Sequence, residues 1–257
     1  FYLTNIAKKI KQARHLFNQA FKKYKYLGKY QYCYCTKSNH FSHIISAALK
    51  ENINLETSSS FDIDLILNLY KKNKVNKNLI IICNGYKTEE YLEKILSLHK
   101  LGFKNIIVVL DNKPELERLN RIIKNTNKKI KIAIRMAINE EAQSSYYTSR
   151  MGIRNNEIID FFKDEIKGNP YVELKMLHFY IDSGIKDSLY FWGEFKKALN
   201  LYIELKNQCK NLNSFNIGGG FPIRNNLGFN YNYEKITEKI VKNIINNCNA
   251  ESIPHPD

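Results

Sequence analysis

The chain has 257 residues with 40 Lys and Arg against 25 Asp and Glu, a formal charge of +15. That length can bury a substantial core in one large domain or two small ones, and the basic residues are scattered through helical stretches rather than gathered into a tract, which argues against a nucleic-acid partner and leaves at most a mild preference for anionic ligands. Five cysteines (Cys33, Cys35, Cys83, Cys209 and Cys248) form no C-x-x-C pair or disulfide framework, no apolar run is long enough to span a membrane, and the amino end has no signal-peptide pattern, so a reducing, cytoplasmic setting is expected.

Ile6, Ile10, Ala13, Phe17 and Phe21 recur at helical spacing, and Gly28 ends that helix. The unbroken β-favouring run Tyr32 to Thr36 then predicts a buried strand. From there strand and helix alternate. Helices are expected over Phe41–Lys50, Phe61–Lys71, Thr88–His99, from near Pro114, over Glu157–Lys167, Ser188–Gln208 (with Asp187 as N-cap) and Tyr233–Asn247. Strands are expected at Ile53–Glu56, Leu79–Cys83, Asn105–Leu110, Lys129–Arg135, Val172–Ile181 and Ser214–Ile217. The polar connection Asn139–Gly152 is too long for a plain βα turn and is a candidate functional loop.

Seven such alternations require parallel pairing with right-handed crossovers, which fits either a doubly wound sheet or a (β/α) barrel. A barrel needs eight strands, and Ile253–Asp257 stands where the eighth would begin. The pattern therefore reads as a TIM barrel with seven βα units and the eighth strand missing, preceded by a separate helix over 1–28 and occupying 29–257. The absence of an initiating methionine leads to the expectation that the chain starts inside a longer protein.

Two features carry chemistry. Lys37 follows the first strand at its carboxyl end, where α/β folds place ligands; beside apolar walls its amine could become a nucleophile, although a solvated surface lysine is the plain alternative. Gly218-Gly219-Gly220 follow the seventh strand. Consecutive glycines let backbone N–H groups approach a phosphate, and the loops after strands seven and eight recurrently do so in barrels, although tight turns use glycines as well. Barrel closure would bring both features to one mouth. A reactive lysine and a phosphate cradle together suggest an aldehyde cofactor bearing a phosphate, pyridoxal phosphate, held by Lys37 as a Schiff base. His40 and His43 have metal-compatible spacing but no third ligand nearby, so no metal is expected.

The stretches CYCTKSNHF, LETSSSFDID, ICNGYK, YTSRMGI, LKMLHFYIDSGIKD and FNIGGGFPI together resemble the barrel domain of fold-type-III pyridoxal-phosphate decarboxylases, of the alanine-racemase-like barrel type, and within them the bacterial biosynthetic arginine decarboxylases. The resemblance covers nearly the whole chain. It implies that Lys37 binds the cofactor aldehyde, that Gly218, Gly219, Gly220 and Ser183 hold the phosphate, and that Arg135 and Glu56 face the cofactor. It implies decarboxylation of a basic amino acid, arginine to agmatine and carbon dioxide, in polyamine biosynthesis, by a homodimer or higher homo-oligomer. The alternative is a non-catalytic pyridoxal-phosphate-binding homologue or a regulatory partner.

The sixth strand departs from the family's His-x-Gly-Ser and reads Tyr180-Ile181-Asp182-Ser183. Tyr180 can still offer a flat stacking face, whereas Asp182 would put an anion beside a phosphate unless its side chain points away. His178, two residues earlier, reads as a core histidine. In the family an eighth strand and a carboxyl-terminal β-domain complete the site, so this chain alone is expected to be inactive.

Overall fold

A computed structural model describes residues 3–124, 129–138, 151–182, 184–223 and 227–257. Helix α1 (Leu3–Tyr24) precedes β1 (Cys33–Cys35), α2 (Ser42–Leu49), β2 (Asn54–Thr57), α3 (Ser60–Lys71), β3 (Ile80–Cys83), α4 (Glu89–Lys100), β4 (Asn105–Leu110), α5 (Pro114–Ile123) and β5 (Ile130–Met136). The second half adds α6 (Asn155–Phe161), β6 (Val172–Phe179), α7 (Leu189–Gln208), β7 (Ser214–Asn216) and α8 (Tyr233–Ala250). Most of the candidate loop at 139–152 lies outside the described residues.

The seven strands follow one another in the sheet in chain order, as βαβ units with right-handed crossovers do. The described residues divide into two compact units. One is drawn from Phe1–Arg14, Gln31–Ala133 and Gly168–Lys175, the other from His15–Tyr30, Ile134–Lys167 and Met176–Asp257.

In the first unit β1 to β4 pair in parallel, with Cys35 opposite Glu56 and Glu56 opposite Ile82. Because side chains alternate across a strand, Thr57 and Cys83 share the other face. There both are fully buried, and Thr57 Oγ1 lies 2.7 Å from the hydroxyl of Tyr91 on α4. Burial pushes the Cys83 thiol up to about 12, so it behaves as a small core residue. The first strand is shorter than the sequence suggests, three half-buried residues in place of five buried ones, because the chain tightens into a 3-10 turn at Thr36–Ser38.

The turns after β3 and β4 share a fully buried lysine. Lys87 Nζ donates to the Gly85 carbonyl and lies 4.0 Å from Asp111 Oδ2 and 3.9 Å from Glu115 Oε2. Glu115 also bridges both turns, accepting from the Lys87 N–H at 2.9 Å and the Asp111 N–H at 2.8 Å. Burial raises the Glu115 carboxyl pKa, and Lys87 opposes that rise.

In the second unit Phe17, Ala20 and Val241 form a core joined by Phe21, Tyr30, Phe221 and Ile245, with Phe17 and Tyr30 stacked at 4.1 Å. Ser188, not Asp187, caps α7: its hydroxyl accepts from the Phe191 N–H at 3.1 Å. Asp187 is drawn outward to the Trp192 indole N–H at 2.7 Å and Lys239 Nζ at 2.8 Å. Beyond β7, the Asp257 N–H donates to the Asn213 carbonyl at 2.8 Å and its carbonyl accepts from the Phe215 N–H at 3.0 Å, the bond pair of a parallel bridge. That pairing stands where the sequence places the start of an eighth strand. His255 staples the same tail to the segment before β1: its Nδ1 accepts from the Leu27 N–H at 3.1 Å, and its ring stacks on Tyr26 at 4.8 Å.

The buried Lys87 and the half-buried His255 each give an expected outcome. Lys87→Met leaves the Asp111 and Glu115 carboxylates buried without their cation and should cost about 3–5 kcal/mol in urea unfolding. Burial lowers the His255 pKa, so its folded form favours the neutral ring. The stability it contributes is full above about pH 6.5 and falls as pH drops through the folded pKa. Thermal unfolding between pH 7.5 and 5 should show that loss, and His255→Phe should abolish this component.

Candidate functional site

Lys37 sits in the middle of the Thr36–Ser38 turn directly after β1, and its side chain is exposed. The turn itself is fixed. Thr36 Oγ1 donates to the Glu56 carbonyl at 3.1 Å, Ser38 Oγ to the Cys35 carbonyl at 2.7 Å, and the Tyr34 hydroxyl to the Asn39 carbonyl at 2.9 Å. The lysine is thus an exposed side chain on a hydrogen-bonded turn. Glu56, half-buried on the same strand face as Cys35, accepts from Asn84 Nδ2 at 3.0 Å. Burial first and Glu56 second push the Cys33 thiol up to about 12, and the same two causes raise Cys35. The first unit therefore brings the Lys37 turn and Glu56 together through Thr36.

The second unit assembles Arg135, Tyr180 and the glycines. Arg135, on β5, is only 8% exposed; its guanidinium lies 6.0 Å from the centre of the Tyr180 ring and its Nη1 3.3 Å from Met151 Sδ. Gly218 adopts φ +70°, and a Cβ there would stand 2.9 Å from Tyr180 Cδ2 and 3.0 Å from the Phe179 carbonyl oxygen. Tyr180 thus packs into the space left by the missing side chain.

The three glycines differ in role. The Gly218 N–H is taken by Asn216 Oδ1 at 2.8 Å. Gly220, at φ +89°, gives its carbonyl to the Ile185 N–H at 3.1 Å and packs against Gly184. Gly219 and Gly220 are exposed, and a Cβ on Gly219 would meet nothing within 4 Å. Left-handed glycines stand on either side of Gly219. Asp182 is exposed on the turn before Gly184, and Ser183 lies outside the described residues. His178 is buried in β6. His40 and His43 are exposed beside Phe41, which stacks on His43 at 5.8 Å.

A family model described as pyridoxal-dependent decarboxylase, pyridoxal binding domain, matches residues 5–256. The chain belongs to this family. Pyridoxal phosphate is therefore its cofactor. Within the second unit, the exposed Gly219 and Gly220 and the Tyr180 ring beside the buried Arg135 guanidinium are chemically compatible with a phosphorylated aromatic ring.

Among curated proteins the chain is similar to the biosynthetic arginine decarboxylase of Prochlorococcus marinus strain MIT 9215, 27% identical over 93% of this chain and 39% of that protein. It is 26% identical to that of Citrifermentans bemidjiense, over 97% of this chain and 41% of the relative. In structure it resembles the biosynthetic arginine decarboxylase from Campylobacter jejuni, with a TM-score of 0.81 at 24% identity over 99% of this chain and 42% of that one. It also resembles the diaminopimelate decarboxylase from Helicobacter pylori complexed with L-lysine, with a TM-score of 0.76 at 22% identity over 96% and 60%. The fold is that of these barrels, with seven parallel strands among the described residues. The chain spans about two fifths of the length of the curated relatives it matches.

Sequence reasoning missed Asn84 and Lys87. Both stand in the sequence only within the stretch ICNGYK, and one buried lysine cannot be told apart by composition among so many others.

Gly218→Ala should cost about 1–3 kcal/mol through its left-handed backbone and the Tyr180 contact, whereas Gly219→Ala should leave unfolding midpoints nearly unchanged. Parallel denaturation of the two variants checks this division of roles.

Proposed function

We propose that this chain is the cofactor-binding barrel portion, residues 29–257 with an added helix over 1–28, of a decarboxylase that converts arginine to agmatine and carbon dioxide. The observation that carries the reading is an accessible lysine on a fixed turn after β1, in a chain that aligns over nearly all its length with arginine decarboxylases. Lys37 is assigned to hold the cofactor through its aldehyde. The N–H groups of Gly219 and Gly220 and the Ser183 hydroxyl are assigned to its phosphate, Gly218 serving as the gap that seats Tyr180. Tyr180 offers its ring face in place of a histidine, Arg135 fixes that ring and adds positive charge, and Glu56 faces the cofactor with its carboxylate. When bound, the cofactor supplies an electron sink for the pair left behind as the α-carboxylate departs. Among the described residues no helix is long and apolar enough to cross a membrane. A cytoplasmic homodimer or higher homo-oligomer in polyamine biosynthesis completes the proposal.

Pyridoxal phosphate added to the protein should produce a visible absorption band, and borohydride should then leave a stable adduct on the peptide containing Lys37. Lys37→Ala should give neither. The full-length protein should release carbon dioxide from arginine in preference to lysine or ornithine. An adduct on any other lysine, or none, overturns the assignment.

A further inference from the structure

Asn84 is fixed from every side. Its N–H continues the parallel ladder to the Thr57 carbonyl at 2.9 Å, its carbonyl accepts from the Tyr91 hydroxyl at 3.1 Å, and its Oδ1 accepts from the Gly85 N–H at 2.9 Å. With Oδ1 so engaged, the amide nitrogen has to face outward, and there it donates to Glu56 Oε1 at 3.0 Å. The residue that follows is equally constrained. Gly85 adopts φ +78°, and a Cβ there would stand 2.3 Å from the Ser58 carbonyl oxygen, so only glycine lets the turn lie this close to the end of β2. The Gly85 carbonyl receives the buried ammonium of Lys87, which Asp111 and Glu115 hold in turn. A buried charge network of this kind does not add much net stability, but it fixes a backbone carbonyl in one position.

On the other side, Glu56 is tied to the lysine-bearing turn through its own carbonyl and Thr36. Contacts therefore run without a break from Glu115 through Lys87, Gly85, Asn84, Glu56 and Thr36 to the turn carrying Lys37.

We propose that Asn84, braced by the buried Lys87–Asp111–Glu115 cluster, is a positioning residue that locks the Glu56 carboxylate on the strand face it shares with Cys35, beside the turn that carries Lys37. Its importance for the cofactor rests on the function proposed above, but its action on Glu56 can be read without any cofactor. Cys35 stands opposite Glu56 in the strand register, and burial first and the Glu56 carboxylate second raise its thiol pKa. The rate at which Cys35 is alkylated, followed by peptide mass across pH 7 to 10, therefore reports where that charge lies. Cys83, two strands away on β3 and fully buried, should not react in a folded protein and serves as the internal control.

Glu56→Gln removes the charge and should speed Cys35 alkylation at pH 8 by at least about twofold through a lower thiol pKa. Asn84→Ala should move the Cys35 profile in the same direction while Cys83 stays closed. Asn84→Ser, which keeps an acceptor for the Gly85 N–H but falls short of Glu56, should do likewise and decides the matter if Asn84→Ala opens Cys83. The double variant with Glu56→Gln should add nothing further. A wild-type Cys35 profile in the Asn84 variants, next to a shifted one in Glu56→Gln, overturns the proposal, as does Cys83 opening in both Asn84 variants. Borohydride trapping of pyridoxal phosphate on Lys37 in the wild-type chain keeps the two ideas apart: failure there removes the assigned function and leaves the positioning of Glu56 standing.

Discussion

Parallel pairing puts the carboxyl ends of β1, β2 and β3 side by side, and the chemistry assigned to the first unit depends on the short turns that leave those ends. A strand end is a poor place to hold a side chain still, because the backbone ladder stops and its last polar groups need partners. Here each turn borrows one from its neighbour. Thr36 gives its hydroxyl to the carbonyl of Glu56, and Asn84 gives its N–H to Thr57 and its amide to the Glu56 carboxylate. The bonds that satisfy the strand ends also fix Glu56 and the turn carrying Lys37, so rigidity arises from polar satisfaction rather than from burial of the functional groups.

The second unit solves a different problem, which is how to leave backbone N–H groups open. In a folded interior an unpaired N–H is costly, so an open pair must sit at the surface on a segment fixed by other means. Asn216 secures the start of the glycine turn by accepting from Gly218, and Ile185 secures its end by donating to Gly220. The residue between them carries neither duty and no side chain. Three consecutive glycines look equivalent in a sequence, yet only the middle one lacks a structural reason for being glycine.

Much of the architecture was legible because buried parallel strands leave continuous apolar runs, such as Leu79–Cys83 and Asn105–Leu110, with amphipathic stretches between them. What escaped was local competition for hydrogen bonds. Asp187 and Ser188 both suit a helix N-cap, and the choice fell to Ser188 because Trp192 and Lys239 claim the aspartate. The run Tyr32–Thr36 has the composition of a five-residue strand, but Thr36 is needed to tether the next turn to β2, which ends the strand early. Lys87 was invisible for a different reason: its burial depends on Asp111 and Glu115, which reach it only once β3 and β4 have paired.

Tyr180, directly after β6, shows how a large ring is accommodated beside a tight glycine turn. A tyrosine ring is longer than an imidazole and must find more room. Gly218 provides it, because its Cβ would stand 2.9 Å from the ring, and Arg135 lies 6.0 Å from the ring centre on β5, within the range where a guanidinium is attracted to an aromatic face. A cation near the ring steadies it without a directional hydrogen bond and brings positive charge to the end of β5. Asp182, which follows two residues later, is exposed rather than drawn into that packing. The room the Tyr180 ring takes is the same space that a side chain on Gly218 would need, so the glycine and the ring depend on each other.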